Sequence, residues 1–133
     1  MAKLRHIAIA VPDVERSAQF YEKVFELERV GTTDSDLATG IYLSDGVISL
    51  ALLNYKTDEA AGKERGKDYV GVHHVGFWVD DLDDMEKSIE NGGGTFFLDL
   101  PEAKDSLYYE KKYRDPDGII FDISHNGWVG ASK

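Results

Sequence analysis

Two stretches of this chain repeat one pattern, and the repeat limits its possible folds more than any other feature. Residues 4–14 read Leu-Arg-His-Ile-Ala-Ile-Ala-Val-Pro-Asp-Val, and residues 72–82 read Val-His-His-Val-Gly-Phe-Trp-Val-Asp-Asp-Leu. His6 aligns with His74 at an offset of 68 residues. At the same offset Ile7 meets Val75, Ala8 meets Gly76, Ile9 meets Phe77, Val11 meets Val79 and Asp13 meets Asp81. An offset near half of a 133-residue chain marks a duplicated unit.

Each copy begins as a strand, in which side chains alternate between two faces. In the first copy Arg5, Ile7, Ile9 and Val11 share one face, and His6, Ala8 and Ala10 share the other. In the second, His73, Val75, Phe77 and Val79 oppose His74, Gly76 and Trp78. Each strand therefore has a bulky apolar face and a face carrying a His followed by a small residue. On this parity His73 points away from His74, toward helix or solvent.

A helix should follow each strand, with Asp13 and Asp81 accepting the free N–H groups of the first turn. Phe20, Tyr21, Val24 and Phe25 recur at helical spacing in the first helix, and Leu82, Met85 and Ile89 in the second. Gly92-Gly93-Gly94 ends the second helix. The bulky strand faces are expected to pack on the helices, leaving the His faces on the other side of the sheet. Three more strands complete each half, near 29–33, 38–43 and 47–53, then near 94–99, 108–114 and 119–124. Asp115-Pro116-Asp117-Gly118 is a turn before the last strand. The expected architecture is α+β: two tandem βαβββ modules forming a curved mixed sheet. Module one covers residues 1–55, the connection 56–69 and module two 70–128.

Composition removes several function classes. The chain has no cysteine, so a metal would need His, carboxylate, hydroxyl or water ligands. The formal net charge is −10, without the basic patch that nucleic-acid binding requires. No signal-peptide core and no bilayer-spanning stretch is visible, so a cytoplasmic protein is expected. With no Cys nucleophile and no G-x-S-x-G, covalent acyl chemistry has no support.

The chemistry concentrates on the His faces. In the last strand Asp122 lies between Phe121 and Ile123, a poor place for a carboxylate unless a cation or hydrogen bonds meet it. His6 and His74 at equivalent repeat positions, together with Asp122, form a two-His, one-carboxylate set for a divalent metal with open positions for substrate or oxygen. Fe(II) is slightly favoured, and Mn, Ni, Co or Zn would also suit these ligands. His125 is read as structural or as support for the site. Ser49, Tyr109 and Tyr113 are candidates for lining the pocket.

The residues His6-Ile7-Ala8-Ile9-Ala10-Val11-Pro12-Asp13 with Phe20-Tyr21, and Asp115-Pro116-Asp117-Gly118 followed by Asp122, resemble the two ends of the vicinal oxygen chelate superfamily. That superfamily includes glyoxalases, extradiol dioxygenases, methylmalonyl-CoA epimerases and bleomycin-resistance proteins. The resemblance implies a glyoxalase-like cup around a metal, with ligand positions mapping onto His6, Ser49, His74 and Asp122. It also implies a small-molecule substrate and a homodimer, with the cup completed within one chain or across two. Glyoxalase I carries Glu or Gln at the Ser49 position; serine is too short and too weakly basic to replace it, which counts against lactoylglutathione lyase activity. The remaining set is like that of the extradiol dioxygenases, with Asp for their usual Glu. These enzymes also use a His and a Tyr ahead of the closing turn, and no His lies between Thr95 and Asp115. The leading expectation is a divalent-metal-dependent enzyme with a dioxygenase-like ligand set. The alternatives are a glyoxalase- or epimerase-type isomerase or lyase, for which no general base can be assigned, and a metal-free drug-binding protein.

Overall fold

The structure is a computed structural model that describes residues 1–100 and 105–133. The first half runs β1 (Lys3–Ala10), α1 (Val14–Phe25), β2 (Glu28–Asp34), β3 (Ala38–Ser44) and β4 (Ser49–Tyr55). After α2 (Asp58–Ala61), the second half runs β5 (Gly71–Trp78), α3 (Leu82–Asn91), β6 (Thr95–Asp99), β7 (Lys111–Arg114) and β8 (Ile120–Ser124). The eight strands form one curved mixed sheet in the order β2-β3-β4-β1-β5-β8-β7-β6. β1 pairs in parallel with β4, β5 in parallel with β8, and β1 joins β5 antiparallel at the centre.

Local chemistry explains most of the element ends. Asp13 and Asp81 cap α1 and α3, accepting from Arg16 N at 3.0 Å and Asp84 N at 2.9 Å. After α3, Gly93 takes φ +95° and Gly94 N–H closes on the Ile89 carbonyl at 2.8 Å. Asp115 Oδ1 accepts from Asp117 N and Ile119 N, both at 2.9 Å, and so shapes the β7–β8 turn. Two strands start later than their hydrophobicity suggests. Asp45 Oδ1 takes the N–H groups of Val47 and Ile48, which keeps them out of the ladder and delays β4 to Ser49. A turn at Ser106, whose hydroxyl accepts from Tyr108 N, delays β7 to Lys111. The connection also carries α2, capped by Thr57.

The two sheet faces are used differently. Val14, Ala18 and Tyr21 of α1 pack with Val11, Ile41, Leu43 and Leu52. Leu82, Met85 and Ile89 of α3 pack with Val79, Tyr113 and Ile123. The helix face of α1 is thus not the one its aromatic run suggests, because Phe20, Val24 and Phe25 are exposed. On the opposite, concave face Ala8, Ala10, Ala51, Tyr42, Leu53 and Tyr55 form a separate cluster. Small side chains there leave the hollow of the cup. No helix among the described residues is long and apolar enough to cross a membrane.

A bulge corrects the parity expected for His73. Along β1–β5, Ala8 pairs with His74 but Ile9 pairs with Val72, so His73 is the extra residue. The bulge re-aims its side chain, and His73 is buried beside His74.

Gly76 shows why a small residue follows the second His. It pairs with His6, and a Cβ there would come 2.9 Å from His6 Cβ and 2.7 Å from the Trp128 ring. Gly76→Ala must therefore push Trp128 off its seat and is expected to cost about 1–3 kcal/mol, the usual penalty for overpacking. Urea unfolding with Trp fluorescence checks this; stability within error of the parent protein would mean that the seat is soft.

Candidate metal centre

Strand register brings residues from four strands to one point. His6 on β1 lies opposite Gly76 of β5, and Gly76 in turn pairs with Asp122 of β8. Lys112 of β7 pairs directly with Asp122. His6, His74 and Asp122 are all buried and their donor atoms lie within 4.8 Å of one another. His6 Nε2 is 3.3 Å from His74 Nε2 and 4.0 Å from Asp122 Oδ2, and His74 Nε2 is 3.0 Å from the same oxygen. All three come from one chain. The second protomer that the sequence left open is not needed to assemble them.

The hydrogen-bond chain behind His74 sets its tautomer. The Ala61 carbonyl can only accept, so the 2.6 Å contact with His73 places the proton on His73 Nε2. Burial lowers the His73 pKa to about 4, so the ring is neutral and its Nδ1 carries a lone pair. His74 Nδ1 lies 2.8 Å from that nitrogen and donates to it. The Tyr55 hydroxyl lies 3.3 Å from the same acceptor. His74 is held well below its ordinary pKa by burial, with the Lys112 charge adding to the effect. Its Nε2 therefore presents a lone pair to an Asp122 oxygen that can also only accept. These two acceptors lie 3.0 Å apart, with the Lys112 ammonium 2.9 Å from the oxygen and His6 Nε2 3.3 Å from the nitrogen.

His6 completes the donor set. Its ring stacks on Trp128 at 4.8 Å and 2°. Burial, the largest influence, lowers its pKa to about 4, against an opposing attraction from Glu110. His6 Nδ1 is buried without a hydrogen-bond partner among the described residues. Two neutral imidazoles and a carboxylate, with donor atoms 3.0–4.0 Å apart, match what one divalent ion about 2.0–2.2 Å from each would need. The residues present fit such an ion.

Two charged groups at the centre escaped the sequence reading. Lys112 Nζ lies 2.9 Å from both Asp122 oxygens and 3.2 Å from Glu110 Oε2. Glu110 Oε1 accepts from Trp128 Nε1 at 2.5 Å and lies 3.8 Å from His6 Nε2. Hairpin counting could have found Lys112. Pairing outward from the Asp115–Gly118 turn puts residue 112 opposite 122, and alternation then puts Glu110 on the same face.

The same parity corrects the tyrosine candidates. Tyr113 lies on the α3 side, packed against Phe96 and Phe121. Tyr109 is buried against His125 and Asp99. Neither lines the cup. Its tyrosines are Tyr42, Tyr55 and Tyr108. Ser49 is fully buried in register with His6, and its hydroxyl has no partner among the described residues. His125 supplies a carbonyl to Trp78 Nε1 at 3.1 Å. A cavity of about 190 Å³ opens onto Glu110 and Lys112, with walls that include Leu37, Leu53, Leu98 and Tyr108.

Solved structures share this fold over nearly the whole chain. A methylmalonyl-CoA epimerase solved with methylmalonyl-CoA and NH4+ is 21% identical, with a TM-score of 0.76 over 92% of this chain and 93% of its own. A variant methylmalonyl-CoA epimerase from Streptomyces coelicolor is 22% identical, with a TM-score of 0.73 over 91% and 94%. A hypothetical protein from Bacillus halodurans C-125 is 20% identical, with a TM-score of 0.72 over 92% of both chains. A search of curated proteins returns no match. The family model for the Glyoxalase/Bleomycin resistance protein/Dioxygenase superfamily matches residues 3–123, and the chain belongs to that superfamily.

Proposed function

We propose that this protein is a metal-dependent isomerase that moves a proton on a small substrate held in the cup. The position of Glu110 carries the reading. An isomerase needs a general base within reach of the bound substrate, and Glu110 lines the cavity beside the His6–His74–Asp122 cluster. Trp128 and Lys112 hold its two oxygens in place. The two epimerases sharing the fold support the same class of chemistry.

In this reading His6, His74 and Asp122 hold a divalent ion, and His73 and Ala61 keep His74 Nε2 in its ligating form. When bound, such an ion would supply Lewis acidity to a substrate oxygen and lower the cost of negative charge there. Glu110 takes the proton from the carbon beside that oxygen and delivers it to the neighbouring carbon, which completes the isomerisation. The apolar walls around Leu37, Leu53 and Tyr108 bind the body of the substrate and exclude water. The family resemblance also implies a homodimer, and the three candidate ligands already meet within one chain. The two-His, one-carboxylate set favours a second reading, oxygen chemistry at Fe(II).

Solvent-deuterium incorporation into a panel of 2-substituted thioesters and 2-hydroxy ketones separates the two. With Co(II), Ni(II) or Zn(II) bound, the protein is expected to exchange the proton beside the carbonyl. Glu110→Gln should slow exchange by about 10²–10⁴-fold, the usual share of a general base, with metal content unchanged. His74→Ala should lose the metal. Oxygen uptake with Fe(II) and no exchange with any metal would replace this reading with the second. Metal-free protein that binds organic ligands but never a metal would point to a sequestering cup.

The buried neutral imidazoles also leave a pH signature. His6 titrates at about 4 when folded, against about 6.5 when unfolded. Between these values the unfolded chain takes up a proton that the folded protein refuses. Metal-free stability should therefore fall as pH drops through this window, by on the order of 3 kcal/mol for His6 alone. Urea unfolding of wild type and His6→Gln between about pH 7 and pH 4.5 tests this. A slope as steep in His6→Gln as in wild type would rule out the assignment.

A further inference from the structure

Lys112 stands where a centre built for tight metal binding should not have a cation. Its ammonium has three N–H donors and three carboxylate contacts: 2.9 Å to Asp122 Oδ1, 2.9 Å to Asp122 Oδ2 and 3.2 Å to Glu110 Oε2. Asp122 Oδ2 also lies 3.0 Å from His74 Nε2 and 4.0 Å from His6 Nε2, and is the oxygen a shared ion would use. The lone pair that a divalent ion needs thus already faces an ammonium.

The arrangement is fixed by the backbone. Lys112 and Asp122 are direct partners in the β7–β8 pair, and Lys112 is buried. A buried ammonium keeps its charge only when carboxylates compensate it; Asp122 at 2.9 Å and Glu110 at 3.2 Å do so. The charges at the centre sum to one negative, because the ammonium cancels one of the two carboxylates and the imidazoles are neutral. Replacing Lys112 with a neutral side chain would leave two negative charges facing the ion.

We propose that Lys112 is a resident cation that competes with the divalent metal for Asp122, so that the metal binds by taking Oδ2 from the ammonium and remains readily exchangeable. This rests on the metal reading above. On metal binding Lys112 keeps Glu110 and Asp122 Oδ1, which holds the base in place. Lys112 thereby sets metal affinity, while His6, His74 and Asp122 set which atoms ligate.

The test compares Zn(II) and Co(II) affinity in wild type, Lys112→Met and Lys112→Gln, each with and without His74→Ala, by competition against a chromogenic chelator. Both Lys112 variants are expected to bind about 10–100-fold more tightly than wild type, the range over which groups behind the ligands tune metal sites. His74→Ala should abolish that gain. Lys112→Met can fail to fold without metal, since it strands Asp122; Lys112→Gln retains a donor to that carboxylate. Refolding each variant with Zn(II) extends the comparison, and folding only with metal would count for the proposal. Equal or weaker affinity in the variants overturns it while leaving the metal reading intact. No binding by any protein overturns both. Tighter binding with no proton exchange at Glu110 sustains the Lys112 proposal and rejects the isomerase.

Discussion

The antiparallel pairing of β1 with β5 is the interaction on which the rest of the molecule depends. It joins two four-stranded halves into one sheet and makes the first strand of each half the neighbour of the other. Because the chain is a duplication, this pairing also brings equivalent residues together: His6 and His74 meet at 3.3 Å although 68 residues separate them. The parallel partners of the two central strands then deliver Ser49 beside His6 and Asp122 beside Gly76. Only small residues are tolerated at the crossing. Gly76 has no room for a Cβ beneath Trp128, and Ala8, Ala10 and Ala51 leave the cup open.

A buried polar cluster of this kind persists only if its charges and lone pairs close on one another. Asp122 is fully buried and relies on Lys112. Glu110 bridges Lys112 and Trp128, and Trp128 covers His6. Behind His74, His73 and the Ala61 carbonyl orient the ring in the manner of groups that support metal ligands. The network leaves one acceptor–acceptor contact, between His74 Nε2 and Asp122 Oδ2, with no proton between its atoms. A divalent ion would fit that contact, and the Lys112 ammonium already on its oxygen is the reason the ion should be exchangeable.

Much of the fold was legible because it rests on local rules. Period-two alternation placed the strands, Asp13 and Asp81 marked the helix starts, and Asp115-Pro116-Asp117-Gly118 marked the last turn. The misreadings have local causes too. The bulge at His73 broke the parity rule, because one extra residue in a strand reverses the facing of everything counted across it. Tyr109 and Tyr113 share one face and so read as pocket candidates, but β7 and the residue before it turn Lys112 and Glu110 to the cup. Of the apolar run in α1 only Tyr21 packs inward, together with Val14 and Ala18, while Phe20, Val24 and Phe25 are exposed.

Sequence by itself determined the duplication and the α+β class and singled out His6, His74 and Asp122 as candidate ligands, because a repeat and a strand's two-residue period are written directly into the order of side chains. Tertiary structure alone decided that these three meet within one chain, that Glu110 and Lys112 join them, and that His73 turns inward. Each of those depends on register between strands far apart in the chain, and register follows from packing and from bulges that no single strand encodes.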